Sequence, residues 1–353
     1  MSWLGRFVAR RLCAAPNGGR APRVDGAQLP SLYDSLHGFA GVDGTPHLAY
    51  GIISPKPTRV VADSQTSDEG ELADAQADHA DWERCNLTWG EGRCMQVAWP
   101  QPQDRTSNAS GPAQVVPKAT ILCLCGSGQS ITTSGELLPL QATLANEGYR
   151  LIGIDLRGHG LSGGRSRGWG VADGQDLSRL IEHLQRRGHI SGSIGVLGVS
   201  YGAGVAIHAA AATPRVRAVM AIAPWGGLRH WLREKLEIAA MDKHPYVWRL
   251  LRRRFTDKLR AEIAEEVARR CGFRLEESDQ AEAIQRTDAA VLLIHGARDE
   301  NCSVEHSRRI CSARPTATQM VVYEEDDHGS VMFRPWDDVR RRCLEFFDLH
   351  LGC

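Results

Sequence analysis

The chain has 353 residues, 42% of them hydrophobic, and its 42 Lys and Arg balance its 42 Asp and Glu, so the formal net charge is zero. A neutral chain has no bulk attraction for nucleic acid or anionic lipid. No stretch reaches the roughly 20 consecutive apolar residues that span a bilayer, so neither a nucleic-acid partner nor an integral membrane segment is expected.

This length suffices for one large core with residues left over for an appendage. The ten cysteines lack paired CxxC spacing, so they read as small buried hydrophobes and not as a disulfide framework or a zinc site. Cys123 and Cys125 sit inside an apolar run. No apolar signal-peptide core is visible, so Asn86-Leu87-Thr88 and Asn108-Ala109-Ser110 read as chance matches to the glycosylation pattern. The expectation is an intracellular, soluble protein.

Residues 1–40 form a basic N-terminal segment, with arginines at 6, 10, 11, 20 and 23 and no acid before Asp25. Trp3, Leu4, Phe7, Val8 and Leu12 fall on one helical face. That combination has the character of a mitochondrial targeting peptide; a basic terminus kept in the mature protein is the other expectation. Residues 41–117 are less regular. Residues 47–54 read as a strand. Residues 62–83 are acidic and nearly devoid of large apolar groups, the composition of a disordered insertion. Residues 86–99 read as two strands around a Gly-Glu-Gly turn, and 101–117 as a polar loop.

From 118 to 353 the pattern becomes an alternation. Strands are expected at ATILCLCG, YRLIGID, SIGVLGV, VRAVMAIAP, AVLLIHG and QMVVYE. Helices are expected at 134–147, around Leu177, Leu180, Ile181 and Leu184, from Ser200 to about Ala212, from about Val304, and near 337–349. Such alternation implies a mostly parallel sheet with helices on both faces. One segment breaks it: residues 226–288 contain basic amphipathic helices and no strand, which is the expectation for a small helical cap over the sheet edge, its arginines facing water.

The chemistry concentrates in three places. Gly198-Val199-Ser200-Tyr201-Gly202 fits G-x-S-x-G between an apolar strand and an alanine-rich helix, the context in which a serine is presented on a sharp strand-to-helix turn. Flanking side chains would collide with the neighbouring backbone there, so glycine is used. A serine hydroxyl needs a base, and the base needs an acid to orient it. Asp299 in LLIHGARDENC and His328 in YEEDDHGS each lie just past a buried strand, where the loops at the carboxyl edge of an open sheet converge. His295 reads as structural, His159 as a loop-shaping residue, His350 as a solvated tail residue, and Asp326 and Asp327 as solvated. An oxyanion hole needs two backbone N–H groups. Tyr201 follows the nucleophile and offers one; Ser127, in the glycine-rich loop after the first strand of the alternation, is the expected other, unless that loop is only a tight turn.

Over about 118–350 the chain resembles the α/β-hydrolase superfamily. Three motifs carry the likeness: IGIDLRGHGLSGG, LGVSYGAG and LLIHGARDENCSVEH…DDHGS. The helical cap and the VADGQDLSRLIEHL segment resemble serine aminopeptidase-like and prolyl-oligopeptidase-related serine hydrolases. The resemblance implies the order serine, acid, histidine, hence Ser200, Asp299 and His328. It also implies cleavage of an ester, thioester or amide through an acyl-enzyme, with a small-molecule or peptide acyl substrate, no cofactor and no metal. The family commonly has His-Gly at the oxyanion loop, where this chain has Cys125-Gly126. A non-catalytic receptor on the same fold and an acyltransferase are the alternatives. Trp225, at the end of a strand and before the cap, is expected either to wall the acyl pocket or to pack cap against core.

Overall fold

The computed structural model describes residues 3–15, 35–39, 48–54, 59–61, 82–89, 93–100, 116–131, 136–234 and 257–352. Among them the chain forms, in order, α1 (Trp3–Cys13), β1 (Ser35–Phe39), β2 (Leu48–Ile53), β3 (Arg59–Val61), β4 (Trp82–Trp89), β5 (Arg93–Pro100), β6 (Thr120–Leu124), α2 (Leu138–Asn146), β7 (Arg150–Ile154), α3 (Val171–Arg186), β8 (Ile194–Val199), α4 (Tyr201–Ala212) and β9 (Val216–Ile222). A helical stretch at 228–234 follows, then α5 (Asp257–Cys271), α6 (Gln280–Ile284), β10 (Ala290–Gly296), α7 (Val304–Ala313), β11 (Thr318–Tyr323) and α8 (Trp336–Leu351).

Eight strands form one sheet in the order β1-β2-β7-β6-β8-β9-β10-β11. β1 and β2 are antiparallel to their neighbours, and the six strands from β7 to β11 run parallel. This is the α/β-hydrolase fold the alternation implies. The central strands are apolar throughout because both faces are covered. Leu122, Leu124 and Val196 point into one cluster, with α3 and α4. Ile121, Cys123, Leu197 and Val199 point into the other, with α2 and α8. The register follows from the two-residue period of a strand. In α3, Leu177, Leu180, Ile181 and Leu184 are fully buried, the expected stripe of an amphipathic helix.

The N-terminal region departs from expectation in three ways. β1 and β3 were not legible in the sequence. The two strands expected at 86–99 are longer, pair antiparallel from Trp82↔Pro100 to Trp89↔Arg93, and form a small sheet with β3. The acidic stretch at 62–83 lies outside the described residues except for Trp82 and Glu83, which belong to β4. Third, α1 buries a different stripe from the one its large residues mark. Gly5, Ala9 and Cys13 are buried, Val8 and Leu12 are half-buried, and Phe7 is exposed. Small residues spaced i, i+4 let another helix approach closely, and α1 packs on α5, where Cys13 Sγ donates to Val267 O at 3.7 Å.

Within 226–288, α5 lies against α1, and α6 packs between α4 and α7. Leu232 is buried and Trp231 packs on the same cluster. Tyr246 and Trp248, expected with Trp231 and Leu232 to be apolar cap residues facing the site, lie outside the described residues.

Candidate active site

β8 ends in Val199 and α4 begins at Tyr201, with Ser200 between them at φ 52° and ψ −115°. A non-glycine residue in this region costs on the order of 1–3 kcal/mol and persists only where its surroundings impose it. Here the imposition is visible. Ser200 N–H donates to Ile222 O at 2.8 Å. A Cβ at Gly198 would stand 2.4 Å from Gly202 O, and one at Gly202 would stand 2.3 Å from Leu124 O. The two glycines of the motif are therefore steric necessities.

Asp299 lies in the turn after β10 and His328 in the loop after β11. The structure brings both to the serine: His328 Nε2 is 3.0 Å from Ser200 Oγ, and His328 Nδ1 is 2.6 Å from Asp299 Oδ2. A carboxylate only accepts, so Nδ1 carries the proton and Nε2 is left to accept from the hydroxyl. Asp299 Oδ1 accepts from the backbone N–H groups of Asn301 at 2.7 Å and Cys302 at 2.8 Å. Burial alone would raise the Asp299 carboxyl; donors from His295, His328 and the Cys302 backbone hold it well below the usual carboxylate range.

His295 is a contact the sequence reading missed. It is fully buried, as its strand position implies, but its Nε2 lies 2.8 Å from Cys302 O and 3.2 Å from Asp299 Oδ2. A carbonyl cannot donate, so Nε2–H is shared between these two acceptors, and Nδ1 accepts from Ser307 Oγ at 2.7 Å. Asp299 thus sits between two imidazoles, one locked and one facing the serine.

The opposite side of Ser200 is formed by the loop after β6. A Cβ at Gly126 would lie 3.6 Å from Ser200 Cβ, so this loop runs against Ser200. Gly126 N–H is engaged by Gln129 Oε1 at 2.9 Å. Ser127 is exposed. Its N–H has no acceptor among the described residues. Tyr201 N–H is the first of α4 and has no intrahelical acceptor. The loop is tied to its neighbour by Asp155, which accepts from Ile131 N at 2.8 Å, Leu161 N at 2.7 Å and Ser130 Oγ at 3.0 Å. Burial pushes that carboxyl up to about 6 against the pull of these donors. Glu136 is also close: burial pushes it up, while a hydrogen bond from Gln129 and the charge of His328 pull it down.

The remaining expectations are resolved individually. Tyr201 is buried, and its hydroxyl donates to Asp173 Oδ2 at 2.7 Å while accepting from Trp169 N at 2.9 Å. His159 is buried and stacks on Tyr201 at 5.5 Å, consistent with shaping a loop. Trp225 is 2% exposed. Its indole stacks on Tyr201 at 5.8 Å and meets Trp169 edge-on at 5.6 Å. His350 corrects the reading of it as a solvated tail residue: it lies in the last turn of α8, half-buried against the Phe346 ring at 4.9 Å. Asp327 is exposed and caps the turn to Ser330. Asp326 corrects the reading of it as solvated: it is buried, because Arg334 Nε pairs with its carboxylate at 2.8 Å. Among the described residues no group of three or more His, Cys, Asp or Glu could hold a metal ion, and no helix is long and apolar enough to cross a membrane.

Comparison with known proteins agrees with the fold. An esterase from Pyrococcus furiosus superposes with a TM-score of 0.55 at 18% identity, over 83% of this chain and 99% of that one. An acylaminoacyl peptidase from Pyrococcus horikoshii superposes with a TM-score of 0.50 at 16% identity, over 87% of this chain and 48% of that one. In sequence, an uncharacterized Bacillus subtilis protein, YqkD, is 26% identical over 235 residues, 65% of this chain and 71% of that one. The profile of the X-Pro dipeptidyl-peptidase (S15) family matches residues 59–270, a span that includes Ser200 and ends before Asp299 and His328. More than half of the chain lies within that match, and the chain therefore belongs to the X-Pro dipeptidyl-peptidase (S15) family of serine hydrolases.

Proposed function

We propose that this serine hydrolase cleaves an ester, thioester or amide bond through an acyl-enzyme on Ser200, with His328 as general base and Asp299 as its orienting acid. The observation that supports it most is the unbroken line of two hydrogen bonds, 3.0 Å from Ser200 Oγ to His328 Nε2 and 2.6 Å from His328 Nδ1 to Asp299 Oδ2. His328 takes the hydroxyl proton as Oγ attacks the carbonyl carbon, and Asp299 stabilises the resulting imidazolium without accepting its proton. The oxyanion is held by the N–H groups of Tyr201 and Ser127. His328 then protonates the leaving group, and water deprotonated by the same imidazole releases the acid. The engagement of Gly126 N–H by Gln129 supports Ser127 as the loop's donor. Residues 226–288 serve as the cap, with Trp225 packing it to the core.

A fluorophosphonate probe is expected to label the protein at Ser200. Ser200→Ala is expected to abolish labelling and to lower turnover of a good ester on the order of 10⁴-fold or more. An alanine variant that keeps most of its turnover overturns the assignment.

A further inference from the structure

Arg167 belongs to none of the motifs, yet its guanidinium lies against the side chains of both proposed oxyanion donors, Ser127 and Tyr201. Its backbone is fixed by a bond from its N–H to Cys13 O at 3.1 Å, beside the Ala14–Ser166 bridge. Two residues on, Trp169 has φ 49°, so the chain turns sharply there. The side chain comes back over the site. Nη1 donates to Ser127 Oγ at 2.7 Å, and the guanidinium carbon lies 6.0 Å from the centre of the Tyr201 ring and 5.9 Å from that of Trp169.

Among the described residues this cation has no direct ion-pair partner, although its charge helps to pull down the buried Asp173 carboxyl, which Tyr201 holds. Arg167 is half-buried, and among the described residues no carboxylate lies within ion-pair distance of it. Its neighbour Arg157, by contrast, is clamped by both oxygens of Asp176, at 2.7 and 2.9 Å. A guanidinium has five N–H donors in a planar fork, and the bond to Ser127 uses one. A fork of this kind, partly desolvated by aromatic walls and left with free donors, matches a carboxylate in a bidentate or single charge-assisted contact.

We propose that Arg167 is a specificity-determining residue that selects substrates whose acyl group carries a carboxylate near the scissile carbonyl, such as half-esters of short dicarboxylic acids. The proposal rests on the reading of Ser200 as nucleophile. Ser127 and Tyr201 mark the oxyanion end of the site, so an anion bound by Arg167 belongs to the same molecule as the carbonyl that Ser200 attacks.

The test uses the full chain and two ethyl esters of equal acyl length, monoethyl glutarate and ethyl pentanoate. A charge-assisted hydrogen bond corresponds to a preference of about tenfold to a hundredfold in kcat/KM for the charged ester, shrinking as salt is raised. Arg167→Gln, which keeps a donor for Ser127, is expected to bring the ratio close to one through a higher KM for the charged ester. Arg167→Lys is expected to retain part of the preference as a point charge. A wild-type ratio at or below one overturns the proposal. So does a ratio that survives in Arg167→Gln, or an equal fall in kcat for both esters, which marks a residue that only positions the loop. Labelling by the fluorophosphonate separates the two readings. A labelled enzyme that cleaves only the neutral ester refutes the role of Arg167 alone, whereas an enzyme neither labelled nor active on either ester removes the nucleophile assignment and this proposal with it.

Discussion

On the acid–base side of Ser200, four donors converge on the Asp299 carboxylate: two backbone amides of its own turn and two imidazoles. On the oxyanion side, the loop at 126–131 is held mainly by side chains, Gln129 on Gly126 N–H, Arg167 on Ser127 Oγ and Asp155 on Ile131 N–H and Ser130 Oγ. The first arrangement is buried and redundant, and the second is partly exposed, each contact made once. A group that must keep one protonation state gains from redundancy, because losing one donor leaves the others in place. A surface that meets different substrates gains from single replaceable contacts. The comparison teaches that the Asp299 side of Ser200 is held redundantly by backbone amides and buried imidazoles, while the facing loop is held by single side-chain contacts from its neighbours.

Breaking the acid–base side should have the largest effect. Asp299→Asn puts an amide where Asn301 N–H, Cys302 N–H and His328 all require an acceptor, and it leaves His328 in the wrong tautomer. Turnover is expected to fall about 10⁴-fold, whereas Asp327→Asn, at an exposed turn, should stay within a few-fold; kcat of the two variants on one ester gives the comparison. Next comes the aromatic packing beneath the oxyanion side. Trp225→Ala is expected to lower stability by roughly 3–5 kcal/mol in a denaturant titration and to scale all acyl chain lengths alike; a changed ranking of chain lengths at unchanged stability would make Trp225 a pocket wall instead. His295→Gln removes the locked imidazole from Asp299 and is expected to lower kcat by about tenfold to a hundredfold, with KM nearly constant. Gln129→Ala frees Gly126 N–H and should cost about tenfold in kcat, the smallest of these effects. If it costs as much as Asp299→Asn, the contrast between the two sides disappears.

Much of this was legible in sequence, for identifiable reasons. Ser200, Asp299 and His328 each follow a short apolar strand, and strands of a parallel sheet deliver their ends to one edge, so three distant segments could be placed together. The parallel core was readable from the same runs. What escaped has no local pattern. His295 reads as one more inward-facing residue of β10, and only the turn that follows brings Asp299 back onto it. Gln129 and Arg167 act across loops whose paths no periodicity encodes. In α1 the hydrophobic wheel points to Phe7 and Leu12, but the closeness of α5 selects Gly5, Ala9 and Cys13 for the interface. Asp326 looked solvated because nothing in YEEDDHGS signals that Arg334 folds back to cover it.

β9 and β10 are immediate neighbours in the sheet, paired from Ala290↔Ala218 to Ile294↔Ile222, although residues 223–289 lie between them in the chain. Because the two strands are parallel, the excursion leaves at the carboxyl end of β9 and re-enters at the amino end of β10, one strand spacing across and about 13 Å back along the sheet. Changes within the segment that spare its buried core residues, among them Leu228, Leu232, Ile263 and Ile284, can occur over evolutionary time while Ser200, Asp299 and His328 keep their places. Any segment that replaced part of it to redirect what the site accepts would have to complete the same crossover, about a dozen residues or more running back over the sheet.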